Sequence, residues 1–443
     1  MVSDNHFALV LLMLIGIFFT PASAQDIGQA GRKTVHRRQV TQTASAAQTD
    51  LSTAESSIEK KDFVAALALL EKVVAATPDD FQAWFDLGFV KNALGNMDES
   101  IAAYRKSVKL KPDVFESNLN LGLMLQKSGL ADAEEYLRAA TRLKPTAHAD
   151  EGLERAWLAL GRLLETSKPG DAIEAYRKAE ALEPKDPEPR LSAGQLLEKQ
   201  NQFADAEQEY RTILANDPTS SDALTGLANI YTRGQRFAEA EEIFQKLVRL
   251  HPRDVAARTQ LGRLLFLAGK NDAAISEFQE AIKQNPQSLG VQRDLAALYL
   301  AQNKLEDAVP LYRSLLAKTP ADAELHNSLG ETFLKQRNFL EAQREFLLAI
   351  KIKSDFGVAY GNLAVAASEN KDYPLAIKAA DARARFLPEI PVSFFLRASA
   401  YDHLRDYKQA TQNYRRFLEV ADGKYPDQEW QARHRLIAIE RKK

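Results

Sequence analysis

Residues 240–252 read AEEIFQKLVRLHP, residues 274–286 read AISEFQEAIKQNP and residues 308–320 read AVPLYRSLLAKTP. Each stretch begins with alanine, has an aromatic ring four residues later and reaches proline twelve residues after the alanine. Four residues make about one helical turn, so the alanine and the ring share one helix face. A helix that returns at a fixed period of 34 residues predicts a stack of repeated units.

The same alanine recurs at this period across half of the chain, at Ala206, Ala240, Ala274, Ala308, Ala342, Ala376 and Ala410. With small changes of phase, the series extends toward the amino terminus through Ala172, Ala133 and Ala66, and Ser100 takes the place of one alanine. The pattern therefore predicts eleven units.

A second amphipathic helix precedes each alanine, and a small residue stands about twelve positions before it. This residue is glycine in the units that contain Gly88, Gly122, Gly262 and Gly330. A small residue on each helix lets two antiparallel helices approach closely. We therefore expect helix pairs, each joined by a short turn, with the aromatic rings between neighbouring pairs.

One unit carries most of a known consensus, with Trp84, Leu87, Gly88, Met97, Ser100, Tyr104, Ser107 and Pro112. This arrangement resembles the tetratricopeptide repeat, and the resemblance extends from about Ala47 to Asp422. It implies an all-α fold, a right-handed α-solenoid of antiparallel helix pairs in 34-residue units, whose first helices line a concave groove. It also implies a module that binds proteins or peptides.

The spacing divides the chain into five segments. Residues 1–24 are a predicted signal peptide and 25–46 a basic flexible linker, for which an electrostatic tether is the alternative. Units 1–3 occupy 47–145 and units 4–11 occupy 146–424, with extra residues 147–155 that are expected to shift the stacking at the junction. Residues 425–443 are predicted to form a capping helix that packs Trp430, Leu436 and Ile437 on one side.

The amino terminus has the pattern of an exported protein. Thirteen uncharged residues from Phe7 to Phe19 are followed by a small-residue site that ends at Ala24. A helix of this length would extend about 20 Å, which is short of the ~30 Å that spans a bilayer. The sequence predicts cleavage after Ala24 and a mature chain without a membrane span, periplasmic or extracellular in a bacterial source. An uncleaved anchor is the alternative.

Composition argues against several classes of function. The chain has 58 basic and 60 acidic residues, so its charge does not indicate a nucleic-acid partner. It has no cysteine, and its seven histidines are scattered without ligand spacing. No phosphate-binding loop or nucleophile motif is present. We therefore predict no cofactor, no metal and no enzymatic activity.

The register of the repeats identifies the residues that should face the groove. Near the amino end these are apolar: Phe85, Phe89, Leu119 and Leu123. Farther along they are polar: Arg162, Lys199, Arg233, Arg263, Arg293 and Asn327. Exposed rings favour an apolar anchor for a peptide or helix, unless the leading helix or the linker covers them. Arginines favour an acidic or carboxy-terminal segment, unless Asp222, Asp294 and Glu331 neutralise them.

We interpret the chain as a scaffold that binds a protein or peptide in its groove, within a cell-envelope or secretion assembly. The alternative is an accessory protein that handles polysaccharide or another polymer during export.

Overall fold

A computed structural model describes residues 34–441, with side chains from residue 46, so the predicted signal peptide lies outside the described residues. The described part is helical throughout, and it divides into two compact units between Ile230 and Tyr231. None of its helices is long and apolar enough to cross a bilayer. The α-solenoid of helix pairs predicted from the sequence is confirmed.

The first unit contains five complete helix pairs. Its helices are α1 (Thr34–Glu59), α2 (Phe63–Ala76), α3 (Phe81–Ala93), α4 (Met97–Leu110), α5 (Phe115–Lys127), α6 (Ala133–Ala140), α7 (Ala149–Leu164), α8 (Pro169–Leu182), α9 (Glu188–Lys199) and α10 (Phe203–Asn216). The boundary between the units falls inside α11 (Ser221–Arg233).

The second unit continues with the same alternation and ends in one additional helix. Its helices are α12 (Phe237–Leu250), α13 (Val255–Leu267), α14 (Asn271–Gln284), α15 (Leu289–Ala301), α16 (Leu305–Lys318), α17 (Ala323–Lys335), α18 (Phe339–Ile352), α19 (Gly357–Glu369), α20 (Tyr373–Arg383), α21 (Pro391–His403), α22 (Tyr407–Ala421) and α23 (Pro426–Glu440). We call the odd-numbered helices α1 to α21 first helices and the even-numbered helices second helices.

The alanine series forms the closest contacts of the core. Every alanine from Ala206 to Ala410 in the series is fully buried, as is Ser100, whose hydroxyl donates to the carbonyl of Gly88 at 2.7 Å. In several pairs the ring of the second helix lies against the glycine of its own pair. A methyl group added at Gly262 would lie 2.7 Å from the ring of Phe278, and one at Gly330 would lie 2.6 Å from Phe346. The rings thus fill the interior of these pairs, and the ring of Tyr210 also lies against Gly226 of the next pair.

The turn inside every pair except α7–α8 contains a residue with a left-handed φ. Residues with a left-handed φ occur at every 34th position from Asn201 to Arg405, and among them only Gly269 is glycine. Asp98 and Asp272 lie inside the first turns of α4 and α14 and do not cap these helices. Capping carboxylates stand elsewhere, for example at Asp62 before α2 and Asp406 before α22.

Residues 34–46 of the predicted linker are helical, because helix α1 begins at Thr34. Ala47, Leu51, Ala54 and Ile58 bury one stripe of α1 against α2 and α3. This packing anchors the helix, and no proline or glycine between residues 34 and 46 ends it.

The junction at residues 147–155 is filled by a longer first helix. Helix α7 has 16 residues, and a methyl group added at its Gly152 would lie 2.9 Å from Pro145. One core cluster runs without a break from Phe115 of α5 to Leu196 of α9. The extra residues are therefore packed into the array. A shift in stacking at this junction stays a prediction.

The capping helix exists as α23, but its buried side differs from the predicted one. Trp430 is 61% exposed and Ile437 is 50% exposed. The buried stripe consists of Glu429, Ala432 and Ile439, with Leu436 half-buried beside it. These residues follow spacings of three and four, and Trp430 and Ile437 lie off that stripe.

A candidate binding face on the first helices

Within each unit, the first helices of successive pairs pack closer to one another than the second helices do. In the first unit α1 contacts α3 and α5 contacts α7; in the second α13 contacts α15, and α19 contacts both α17 and α21. The solvent side of the first helices is called the first-helix face below. Long side chains on it can reach the next repeat.

A polar side chain fixes the start of several first helices, a contact that was not predicted from the sequence. Six residues after the terminating proline, a side chain donates back to the carbonyl of that proline. The bonds are Trp84 to Pro78 at 3.0 Å, Asn118 to Pro112 at 2.9 Å, Arg258 to Pro252 at 3.4 Å and Gln292 to Pro286 at 2.6 Å. The residues at this position are chemically unrelated and share only the ability to donate a hydrogen bond. The pattern is therefore hard to recognise in a sequence.

The two phenylalanines of α3 pack inside the array instead of standing open. Phe85 meets Tyr104 edge to face, with ring centroids 5.6 Å apart. Phe89 meets Phe63 of α2 in the same way, at 6.1 Å. Both rings are half-buried. The pair α1–α2 therefore covers part of the apolar anchor that the sequence predicted.

Leu119 does not belong to the surface at all. It is buried in the core that joins α5 to α9, because the longer helix α7 packs against α5. Leu123 is half-buried against the same core. The expectation that Leu119 lines the groove is wrong.

In the first unit, the predicted basic groove residues are already paired with acids of neighbouring repeats. Arg162 of α7 forms an ion pair with Glu188 at the start of α9. Lys199 of α9 contacts Glu165, which follows α7, at 3.1 Å. The other oxygen of Glu165 accepts from the hydroxyl of Tyr176 at 2.7 Å. Arg233, the last residue of α11, lies just past the boundary in the second unit and is exposed.

The second unit also has ion pairs between successive first helices. Arg263 of α13 contacts Asp294 of α15 at 2.7 Å, and Arg293 of α15 contacts Asp322, which caps α17, at 2.5 Å. Burial opposes ionisation of Asp322, but amide donors from α17 together with Arg293 outweigh it and lower its pKa. Arg263 and Arg293 are therefore neutralised by acids of the next repeat, as the alternative expectation from the sequence had it.

Asn327 belongs to a buried amide network. Its Nδ2 donates to Glu331 at 2.8 Å, and its Oδ1 accepts from Asn362 of α19 at 3.1 Å. Asn362 also donates to Glu331 at 2.8 Å. The network ties α17 to α19, so Asn327 is a contact between repeats.

Two carboxylates of the first unit lack the partners that the arginines supply elsewhere. Glu154 of α7 is only 7% exposed, and its Oε1 has no hydrogen-bond partner. Burial raises its pKa to about 7, and the charges of Asp186, Glu188 and Glu183 add to the shift. In α3, the shielded Oδ2 of Asp86 has no partner either. Burial, with Glu55 and Asp80 nearby, raises the pKa of Asp86 well above its usual range.

His326 has a structural role. His326 of α17 bonds Glu345 at 2.6 Å through Nδ1, and its Nε2 lies 3.2 Å from the carbonyl of Pro320. Within residues 34–441, no group of three or more histidine or acidic side chains could hold a metal ion.

An open recess of about 590 Å³ on α16 is lined by Glu306, Val309, Pro310, Arg313, Ser314 and Gln336.

Family models agree with this architecture. A tetratricopeptide repeat model matches residues 54–115, 91–148, 162–221, 191–255 and 225–288, and a second model of the same description matches 265–332. The matches cover more than half of the 443 residues. This chain belongs to the tetratricopeptide repeat family. The unmatched residues 149–161 fall within the long helix α7 of this tetratricopeptide repeat protein.

Individual proteins resemble only parts of it. Protein CTR9 homolog of Arabidopsis thaliana is 33% identical over 100 residues, which are 22% of this chain and 9% of that protein. Tetratricopeptide repeat protein 37 of Xenopus laevis is 30% identical over 87 residues, 20% of this chain and 6% of that protein. The chain thus spans less than a tenth of these curated relatives. The crystal structure of yeast Tom70 aligns with 90% of this chain and 96% of its own, at 16% identity and a TM-score of 0.35.

Proposed function

We propose that this protein is a non-enzymatic scaffold that holds a segment of another protein on its first-helix face. The observation that carries the proposal is the set of ion pairs between successive first helices. The side chains of Arg263 and Arg293 are 49% and 44% exposed, and each is held by a carboxylate of the next first helix. Ion pairs this open contribute about 0–1 kcal/mol, so a partner's carboxylate can replace the internal one at little cost.

The test compares two pairs of substitutions that remove the same charge. Arg263→Gln with Arg293→Gln changes the first-helix face, and Arg344→Gln with Arg416→Gln changes second helices. Arg344 and Arg416 form exposed pairs within α18 and α22. The purified chain is crosslinked in an extract of cells that produce it, and the partner is quantified by mass spectrometry. We expect about tenfold lower recovery for the first pair only. Equal recovery for both pairs would refute the proposed face.

We further propose that the scaffold works outside the cytoplasm, in an envelope or secretion assembly. The support is the apolar run from Phe7 to Phe19 and the small residues that end at Ala24. The mass of the protein from its native cells tests this. A mature chain that begins at Gln25 is expected, and a cytoplasmic chain that keeps Met1 would contradict export.

A further inference from the structure

We infer that the first-helix face of the first unit binds a partner segment rich in lysine or arginine, whose cationic groups meet the unpaired carboxylates of Asp86 and Glu154. This inference rests on the proposed scaffold function and adds the chemistry of the partner. Each carboxylate supports it independently.

Glu154 is the more deeply buried of the two. Its Oε1 has no donor, and three further acids act on it: Glu183 at the end of α8, Asp186 in the following turn and Glu188 of α9. The basic groups nearby do not balance them. Arg162 is engaged by Glu188, and burial lowers the pKa of Arg155 even though Glu154 acts in the opposite direction. A shielded carboxyl without a donor costs free energy that a partner's donor would recover.

Asp86 has the same deficit on α3. The charges that act on it are Glu55 of α1 and Asp80, and both are acidic. Lys91 of the same helix contacts Glu71 and Glu99 of the two adjoining second helices. The half-buried rings of Phe85 and Phe89 are close to Asp86 in the sequence. They could pack against the aliphatic part of a lysine or arginine side chain.

A peptide fits these sites better than a metal ion does. Glu154 and Asp86 lie on different first helices, and no described group of acids has the arrangement to hold an ion. A segment with several cationic side chains can supply each carboxylate separately. In the second unit Asp294 and Asp322 already have arginine partners, so we assign the basic segment to the first unit.

The test uses fluorescein-labelled octalysine as the probe, octaglutamate as the probe control and fluorescence anisotropy as the readout. Asp86→Asn with Glu154→Gln removes the two carboxyl groups that lack partners. Asp98→Asn with Glu135→Gln removes two charges from exposed positions on α4 and α6. We expect about tenfold weaker octalysine binding for the first pair and less than about twofold for the second. Equal weakening in both pairs, or tighter binding of octaglutamate than of octalysine, would overturn the inference.

The pH dependence gives a second readout that nonspecific attraction would not produce. Lysine stays charged between pH 6 and 8, whereas Glu154 becomes ionised there because its pKa is about 7. Octalysine affinity should therefore rise across this range in the natural chain, and the rise should be smaller in Glu154→Gln. An identical rise in both proteins would exclude Glu154 as the contact. Circular dichroism checks that every variant remains helical.

The two proposals fail separately. If octalysine binding ignores Asp86 and Glu154 while the crosslinked partner still depends on Arg263 and Arg293, the scaffold stands and the basic segment is rejected. If octalysine binds as expected and no crosslink depends on those arginines, the second unit is excluded as the binding surface.

Discussion

At the scale of single residues, the chain is organised by glycines and alanines that leave no room for a larger side chain. Gly262 is one such position, since an added methyl group would lie 2.7 Å from the ring of buried Phe278. Gly290 of α15 is helical too, yet nothing lies within 4 Å of a methyl group there. The two glycines therefore separate steric cost from helix propensity.

Gly262→Ala should destabilise the second unit by about 1–2 kcal/mol, because overpacking outweighs the gain in helix propensity. Gly290→Ala should leave stability unchanged or raise it by up to about 1 kcal/mol. Urea unfolding followed by circular dichroism measures both. Equal effects of the two substitutions would show that the ring of Phe278 does not limit the space at Gly262.

The buried carboxyl of Glu154 makes stability depend on pH. Its pKa is near 7 in the folded chain and near its ordinary 4.5 when unfolded, so the folded state binds the proton more tightly. That contribution to stability is complete below about pH 4 and is lost as pH rises to about 7. Glu154→Gln should therefore stabilise the protein relative to the natural chain by about 2 kcal/mol at pH 8, and by much less at pH 5. Urea unfolding at both pH values checks the sign, and a larger gain at pH 5 would contradict it.

At the scale of helices, the terminal helix α23 is held by one buried charge. Arg435 contacts both carboxylate oxygens of Asp402 in α21, at 2.6 and 2.7 Å, and the side chain of Asp402 is 7% exposed. An exposed pair between Arg415 and Glu440 joins α22 to the same helix. The two pairs provide a matched comparison of buried and exposed charge.

Arg435→Ala should destabilise the last repeat by about 2–4 kcal/mol, since it leaves Asp402 buried without its cation. Arg415→Ala should change stability by less than about 1 kcal/mol. Hydrogen exchange of α21 to α23 reports the local opening that a repeat array allows. If both variants exchange alike, Asp402 does not anchor α23.

The sequence predicts helices better than it predicts which neighbour covers a side chain. The 34-residue period places each small residue and ring, because each faces its own helix pair. It fails for Leu119, which α7 covers, and for Trp430, which lies outside the buried stripe of α23. Arg263 and Arg293 were expected to face a ligand, but their partners come from the next repeat. Such contacts depend on how repeats stack, which periodicity does not specify.

At the scale of the whole molecule, we expect a partner to bind the first helices and not the second helices. Four exposed glutamines allow a matched comparison. Gln195 of α9 and Gln260 of α13 occupy first-helix positions, and Gln208 of α10 and Gln245 of α12 occupy second-helix positions. All four can be replaced by the photoreactive residue p-benzoylphenylalanine.

The decisive measurement is photo-crosslinking of these four proteins in an extract of the cells that produce the chain. We expect one discrete partner to be crosslinked at Gln195, at Gln260 or at both, and at neither Gln208 nor Gln245. Equal crosslinking at all four positions, or crosslinking confined to Gln208 and Gln245, would contradict it.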